Sequence, residues 1–248
     1  MGSISGADIT RDAFLGGRVA ALQPRRGYRA GIDPVFLAAA VEASAGQSVL
    51  ELGCGVGVAA LCLAARVPGV EVTGVEVQTA YAALARANGV AVVEADLRDL
   101  PPELRQRRFD HVMMNPPYFD RRAGSASSDP GRDTAFGGET PLADWLAVAG
   151  RRLASGGWLT LIQRVERLPE VLEGLTGFGS VTVAPLAARE GRAPERMLLR
   201  ARKGGRGVFR LMAPFVLHDG PRHARDGEDY APAARAILRD AQPFIWAT

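Results

Sequence analysis

An apolar strand that runs directly into alternating glycines constrains the fold of this chain more than any other feature. Residues 49–57 read VLELGCGVG, with Glu51 on the strand and Gly53, Gly55 and Gly57 in the turn, and a helical stretch follows. Glycine adopts backbone conformations closed to other residues and lets a ligand approach the main chain closely. A strand, a glycine-rich turn and a helix in this order are typical of a nucleotide site in an open α/β sheet.

The rest of the chain alternates short apolar runs with amphipathic stretches, a pattern that predicts a parallel sheet covered by helices. The predicted strands are 48–52, 71–77, 90–95, 109–114, 158–163, 180–184 and 196–202. The predicted helices are 34–43, 58–65, 79–88, 142–153 and 165–175, with a further strand after residue 208 and a helix near 231–240. Because no helix separates the last two main strands, they predict a terminal antiparallel hairpin. The expected fold class is α/β, a doubly wound and mostly parallel seven-stranded sheet.

Two carboxylates follow the next strands of this predicted sheet. Glu76 ends the second strand about twenty residues after the glycines, the spacing at which an acid binds the hydroxyls of a ribose. Asp96 follows the third strand at the same edge, where it would accept a hydrogen bond from an adenine amino group. A dinucleotide site also has a glycine-rich turn and a downstream acid, so both kinds of cofactor remain open at this point.

The fourth strand ends in Asn115-Pro116-Pro117-Tyr118, which places these residues beside the proposed pocket. The prolines restrict the backbone and offer no N–H, so the Asn115 side chain and the adjacent carbonyl would be held as a pair of acceptors. Such acceptors suit an NH₂ group on a planar conjugated system, whose lone pair they turn toward an incoming methyl group. Tyr118 would stack on the flat substrate. The alternative is a rigid turn, which Asn-Pro often begins.

These motifs resemble the class I, Rossmann-like S-adenosylmethionine-dependent methyltransferases, in the branch marked by Asn-Pro-Pro-Tyr. The resemblance covers most of the chain and implies S-adenosylmethionine as the cofactor. By position it implies that residues 115–118 are catalytic and that the cofactor is bound by Glu51, Gly53, Gly55, Gly57, Glu76, Asp96 and Asn115.

Within that branch, residues 23–33, 202–205 and 216–218 are similar to the tRNA adenine-N6 methyltransferases that modify valine tRNA. In that family the segment before the first helix covers the cofactor, which implies binding roles for Tyr28, Arg29 and Asp33. A loop followed by a helix cap is the simpler explanation of these three residues.

The charge of the chain is concentrated near its carboxyl end. Residues 189–210 contain eight basic and two acidic residues, whereas the whole chain has a net charge of only +3. A basic stretch beside the active-site edge would follow a phosphate backbone, although a solvated surface is the commoner explanation of a charge run. The candidate RNA-binding residues are Arg121, Arg122, Arg196, Arg202, Lys203 and Arg206.

Several other classes of protein share parts of this pattern. Protein glutamine methyltransferases use the same motif, but they usually carry a helical domain before the cofactor loop, and only 48 or so residues precede it here. An NAD-dependent oxidoreductase and a noncatalytic RNA-binding module that kept the fold also remain possible. We expect one methyltransferase domain over residues 1–248, with a cofactor-covering segment (1–47), a Rossmann-like core (48–203) and a C-terminal extension (204–248) that contacts RNA.

The composition and the cysteine and histidine spacing restrict the environment of the protein. No uninterrupted run of apolar residues reaches the length of a membrane-spanning helix, and the amino terminus lacks the pattern of a secretory signal. We therefore expect a cytoplasmic protein. Cysteine and histidine do not cluster at metal-ligand spacing, so we expect no metal site.

Overall fold

A nine-stranded sheet dominates the computed structural model, which describes residues 8–118, 140–220 and 229–246. A separate two-stranded antiparallel hairpin precedes it. The hairpin consists of β1 (Ile9–Phe14) and β2 (Val19–Pro24). The strands of the sheet are β3 (Ser48–Leu52), β4 (Glu71–Glu76), β5 (Ala91–Glu94), β6 (Phe109–Met114), β7 (Leu153–Arg164), β8 (Phe178–Ala187), β9 (Arg196–Lys203), β10 (Arg210–Leu211) and β11 (Phe215–Val216).

The order of strands across the sheet is β5-β4-β3-β6-β7-β9-β8, with the two-residue strands β10 and β11 parallel to the outer side of β8. From β3 the chain moves outward through β4 and β5, then returns to place β6 on the other side of β3. β9 runs antiparallel between β7 and β8. The predicted mostly parallel sheet with an antiparallel hairpin is therefore confirmed, and the further strand expected after residue 208 is present as two short strands, β10 and β11.

Helices cover both faces of this sheet. They are α1 (Asp33–Ala40), α2 (Val58–Arg66), α3 (Thr79–Ala87), α4 (Pro102–Gln106), α5 (Leu142–Arg152), α6 (Leu168–Gly174) and α7 (Pro232–Asp240). Successive strand residues alternate between the faces: Val49 packs in the apolar cluster of α1, α2, α3 and α7, whereas Leu50 packs in that of α4, α5 and α6. Burial on both faces explains why the central strands are almost continuously apolar.

The segments that flank the core pack against it. Val19 and Ala21 of β2 are buried in the cluster formed by α1, α2 and α7. After α7, the backbone N–H of Phe244 donates to the carbonyl of Ala39 at 2.9 Å, and the indole N–H of Trp246 donates to the carbonyl of Ala40 at 2.9 Å. The C-terminal extension is predicted to contact RNA. Its described part packs against α1.

Some elements differ from the sequence prediction. The β1–β2 hairpin and α4 were not predicted; α4 has only five residues, too few to show a helical period. The predicted helix 165–175 is divided into a 3₁₀ turn (Val165–Arg167) and α6. The helix predicted over 34–43 ends at Ala40, because Val41 already has extended backbone angles.

Candidate active site

The carboxyl ends of β3, β4 and β6 open into a cavity of about 660 Å³. The cavity lies where the strand order of the sheet reverses, with β4 and β6 on opposite sides of β3. Open α/β sheets bind ligands at such a point, since the loops on either side diverge there. Every predicted cofactor residue except Gly57 lines this cavity: Tyr28, Arg29, Asp33, Glu51, Gly53, Gly55, Glu76, Asp96 and Asn115.

The glycine-rich turn has backbone angles that favour glycine. Gly53, Gly55 and Gly57 have φ angles of 66°, 56° and 85°. A Cβ on Gly53 would lie 2.5 Å from the Trp145 ring, so the turn also needs glycine there to clear that side chain. Gly57 does not line the cavity; it is the residue before α2, where a Cβ would lie 2.5 Å from the Val90 side chain. In the structure, Gly57 allows α2 to begin close to the Val90 side chain.

Glu76 is fixed by the backbone of the same turn. One carboxylate oxygen accepts a hydrogen bond from the N–H of Gly55 at 2.9 Å, and the other accepts from the N–H of Gln78 at 2.8 Å. The residue is buried, and its desolvation raises the pKa of the carboxyl, although the backbone N–H groups oppose that rise. These backbone donors orient the carboxylate, which lines the cavity as an acceptor for hydroxyl donors of a ligand.

Glu51 lies at the end of β3, deeper in the same cavity. Its carboxyl accepts a hydrogen bond from the N–H of Ala60 at 3.1 Å. Burial raises the pKa of this carboxyl to about 8, and the nearby charge of Glu76 adds to the rise. A cationic ligand group placed here would reverse the effect of burial, because an opposite charge favours the ionised carboxylate.

Asp96 follows β5 and is the N-cap of a short 3₁₀ turn (Leu97–Asp99). Its carboxylate accepts hydrogen bonds from the backbone N–H and the guanidinium of Arg98, which hold the pKa of the carboxyl below its usual value. Asp96 therefore lines the cavity as an ionised acceptor whose orientation is set by its own turn.

The segment before α1 forms another wall of the cavity. The hydroxyl of Tyr81 accepts from the backbone N–H of Tyr28 at 2.9 Å and donates to the Tyr28 carbonyl at 3.2 Å. The guanidinium of Arg29 bonds to Asp12, Thr10 and the Pro24 carbonyl, so it ties this wall to the β1–β2 hairpin.

The Asn115-Pro116-Pro117-Tyr118 segment is held from several sides. Asn115 Nδ2 donates to the hydroxyl of Tyr28 at 3.4 Å, so its Oδ1 is directed elsewhere in the cavity. The fully buried Gln163, near the end of β7, donates from Nε2 to the Pro116 carbonyl at 3.3 Å. Arg167 donates from its guanidinium to the Pro117 carbonyl at 3.2 Å. Both proline carbonyls are therefore fixed by side chains from the next strand and turn.

Tyr118 is fixed through its hydroxyl. The Tyr118 hydroxyl donates to Asp33 Oδ2 at 2.5 Å, and Arg196 Nη1 lies 2.5 Å from Asp33 Oδ1. Burial and the charge of Asp33 raise the pKa of Tyr118 far above its ordinary value, so the hydroxyl stays protonated. Asp33 was expected to bind the cofactor and Arg196 to bind RNA. In the structure they form a salt bridge with each other, and Asp33 positions the tyrosine.

The predicted RNA-binding residues are not brought together. Arg196 lines the cavity, but β9 runs antiparallel to β7 and carries Arg202 and Lys203 to the opposite edge of the sheet. There Arg202 bonds to the Gly156 carbonyl and Lys203 to the Leu153 carbonyl. Arg206 follows at that edge, next to the bond between Gly207 N and Ser180. The expectation that the whole basic stretch borders the active site is therefore wrong.

Two predicted RNA-binding residues, Arg121 and Arg122, lie outside the described residues, as does the 119–138 loop that contains them. Of the residues that the sequence did not indicate, Gln163 and Arg167 anchor the Asn115–Tyr118 segment, while Trp145 and Tyr81 line the cavity. Gln163 had a usable signal, since it is a polar residue at the end of an otherwise apolar buried strand.

Over residues 8–118, 140–220 and 229–246, the structure shows no helix long and apolar enough to cross a membrane. In the same ranges, histidine, cysteine and acidic side chains do not form a group of three that could hold a metal ion.

The fold and this site define a class I, Rossmann-like S-adenosylmethionine-dependent methyltransferase. Residues 31–186, more than half of the chain, match the family model described as the methyltransferase small domain, and the chain belongs to that family.

Similar proteins agree with this assignment. The tRNA1(Val) (adenine(37)-N6)-methyltransferase of Shewanella amazonensis is 31% identical over 185 residues, which cover 69% of this chain and 77% of that protein. The crystal structure of a predicted O-methyltransferase from Agrobacterium tumefaciens is 27% identical, with a TM-score of 0.69 and coverage of 85% of this chain and 97% of that one. A 16S rRNA methyltransferase of T. thermophilus, solved with AdoMet and guanosine, is 25% identical with a TM-score of 0.52, and the match covers 79% of this chain and 50% of that one.

Proposed function

We propose that this methyltransferase transfers a methyl group from S-adenosylmethionine to the exocyclic amino group of an adenine in tRNA, at position 37 of valine tRNA. The observation that carries the proposal is the meeting of Asn115 and the Pro116 carbonyl with Glu51, Glu76 and Asp96 in one cavity. The name of the Shewanella amazonensis relative supports the choice of tRNA and of adenine N6. Because its substrate is tRNA, we expect the enzyme to work in the cytoplasm.

The residues of the cavity fit S-adenosylmethionine. The volume of the cavity, about 660 Å³, is ordinary for a small-molecule site. The carboxylate of Glu76, oriented by backbone N–H groups, would accept the ribose hydroxyls, and Asp96 would accept from the adenine amino group. Glu51 also lines the cavity, and its carboxylate would accept from the ammonium group of the cofactor. Positive φ angles in the glycine turn let the backbone approach the ligand without a Cβ between them.

When bound, S-adenosylmethionine supplies an electrophilic methyl group on a sulfonium. The adenine amino nitrogen is a poor nucleophile because its lone pair is delocalised into the ring. Asn115 Oδ1 and the Pro116 carbonyl would accept its two hydrogens and so turn the lone pair toward the methyl carbon. After the methyl group is transferred, the surplus proton of the nitrogen would pass through these two acceptors to water. The residues act here by orientation and electrostatics.

The anchors of the catalytic segment give this arrangement its rigidity. Gln163 occupies one lone pair of the Pro116 carbonyl and leaves the other for the substrate. The bond from Asn115 Nδ2 to the Tyr28 hydroxyl fixes which end of the amide faces the substrate. Tyr118 presents its ring to the cavity while its hydroxyl is held by Asp33, so the ring is placed to stack on a base that has left its own stack.

A labelled-methyl screen tests the proposal directly. The protein, S-adenosylmethionine carrying a labelled methyl group, and one acceptor at a time would be combined: an unmodified valine tRNA transcript, the same transcript with adenine 37 replaced by guanine, 16S rRNA, and a release-factor protein with a methylatable glutamine. We expect label only on the first transcript, recovered as N6-methyladenosine after digestion. Label on protein glutamine, or equal label on both transcripts, would contradict the proposal.

A further inference from the structure

A cluster of cations lies at the end of the sheet opposite the cavity, where β7 starts and β9 ends. The structure brings together α4 and the loop after it, the end of α5, the start of β7 and the end of β9 at this edge. We call this surface the basic edge; it consists of Arg105, Arg107, Arg108, Arg151, Arg152, Arg202 and Lys203.

Hydrogen bonds to backbone carbonyls hold this cluster together. Arg152, itself buried, donates to the carbonyls of Leu104 and Arg105, which joins the end of α5 to α4. Lys203 donates to the Leu153 carbonyl at 2.8 Å, which joins the end of β9 to the start of β7. The basic edge is therefore a fixed part of the core elements.

Carboxylates of the protein do not pair with the positive charges of the basic edge in the part of the chain that the structure describes. Among the described residues, none of its seven cations forms a salt bridge with a carboxylate. The side chains of Arg105, Arg107, Arg108, Arg151 and Arg202 are exposed. Neighbouring arginines contribute to the lowered pKa of Lys203 and of Arg152, after desolvation, so the like charges repel one another. A fold that keeps such repulsion on a rigid surface favours an anionic partner that relieves it.

The position of the basic edge indicates which anion it fits. β9 carries Arg196 at the cavity and Lys203 at the basic edge, seven residues apart along an extended strand, which is roughly 23 Å. A single nucleotide in the cavity cannot reach that far, whereas a folded RNA can. Exposed arginines at fixed separations suit phosphate groups, which they bind bidentately.

We propose that the basic edge is a second RNA-binding surface, which contacts the phosphate backbone of the substrate tRNA away from the adenine that is methylated. This inference rests on the proposed function for the identity of the RNA. The contacts are sequence-independent, since they go to phosphates, and they add affinity and orientation to a cavity that admits only one base.

The test is the triple variant Arg105→Gln, Arg108→Gln and Arg151→Gln, in which all three side chains are exposed and none lines the cavity. Its matched control is Arg18→Gln with Arg235→Gln, two exposed arginines that belong neither to the cavity nor to the basic edge. Binding of unmodified valine tRNA would be measured from 50 to 200 mM salt. Each lost phosphate contact lowers the slope of log affinity against log salt by about 0.7–0.9.

We expect the triple variant to reduce the salt slope by about 2 and to raise KM for tRNA at least tenfold, with unchanged kcat and unchanged affinity for S-adenosylmethionine. The control should match the unmodified protein. Equal slopes and KM values for all three proteins would overturn the inference, and so would a loss in the control as large as in the triple variant. Failure of the unmodified protein to methylate tRNA, with tRNA binding still sensitive to the triple variant, would instead refute the proposed function alone.

Discussion

The hydroxyl of Tyr118 donates a 2.5 Å hydrogen bond to the carboxylate of Asp33, a residue 85 positions earlier in the chain. Asp33 begins α1, whereas Tyr118 ends the Asn115–Tyr118 segment after β6, so this bond joins the start of α1 to that segment. Arg196 holds the other carboxylate oxygen from β9. The orientation of the tyrosine ring therefore depends on three elements that meet at the edge of the cavity.

Replacement of Asp33 by asparagine should loosen Tyr118. The variant keeps the shape of the side chain but removes the charge that Tyr118 and Arg196 share. Hydrogen bonds to charged groups contribute about 1.5–3 kcal/mol, so we expect kcat/KM for tRNA to fall ten- to a hundredfold in steady-state assays. Glu42→Gln is the matched control, since it also removes the carboxylate partner of an arginine, Arg200, but lies outside the cavity. An equal effect of both substitutions would show that the loss is one of general stability.

Replacement of Gln163 by methionine should affect the chemical step more than cofactor binding. The variant fills the same space but loses the donor to the Pro116 carbonyl. We expect kcat at saturating tRNA to fall at least tenfold, while titration calorimetry shows an affinity for S-adenosylmethionine within threefold of the unmodified protein. Ile162→Val, one residue earlier on β7, should leave both quantities unchanged at a stability cost of about 1 kcal/mol. Loss of cofactor affinity in step with kcat would contradict a positioning role for Gln163.

Replacement of Gly53 by alanine should obstruct the cofactor turn. The added Cβ would lie 2.5 Å from Trp145, in addition to the strain of a positive φ angle. Gly46→Ala is the matched control, because Gly46 has a φ of 81° with nothing within 4 Å of the added Cβ. We expect both variants to lose about 1 kcal/mol or more of stability from the backbone strain, measured by denaturant unfolding. Only Gly53→Ala should also weaken S-adenosylmethionine binding more than tenfold; equal binding by the two variants would contradict the account of the turn.

The ligand-free protein should lose stability as the pH rises through the range set by Glu51. Burial raises the pKa of this carboxyl to about 8 in the folded protein, while an exposed glutamate titrates near 4.3. Between about pH 5 and pH 8 the folded protein keeps a proton that the unfolded chain has lost, so stability decreases with pH there and levels off above it. The full difference is on the order of 5 kcal/mol.

Glu51→Gln is neutral at every pH and should remove this dependence. We expect the apparent melting temperature of the ligand-free protein to fall from pH 5 to pH 8 by several degrees more than that of the variant. Glu71→Gln, at an exposed position, should behave like the unmodified protein. Parallel pH profiles for all three proteins would show that Glu51 is ionised in the folded state at neutral pH.

The parts of the site that follow from strand order could be predicted from the sequence. Glu51, Glu76 and Asn115 lie at the carboxyl ends of three parallel strands, and parallel strands bring these ends together on one side of the sheet. The local signals, an apolar run followed by glycine or a polar residue, were therefore sufficient to place these residues in one cavity.

The parts that depend on distant packing could not be predicted. Nothing near Asp33 in the sequence indicates that its partners are Tyr118 and Arg196, since each pair is joined only by the closed fold. The placement of Arg202 and Lys203 has a different cause. Adjacency in sequence predicts one surface for the basic stretch, whereas the antiparallel strand β9 carries its two ends to opposite ends of the sheet.

We propose that Asn115 directs an amino group toward the methyl of a separately bound cofactor. Asn115→Ala tests it most directly, with the affinity for S-adenosylmethionine measured by calorimetry and single-turnover methylation of unmodified valine tRNA measured on the same preparation. We expect cofactor affinity within threefold of the unmodified protein and a methylation rate reduced at least a thousandfold. Comparable losses of cofactor affinity and methylation rate, or methylation that survives the substitution, would contradict this account of the site.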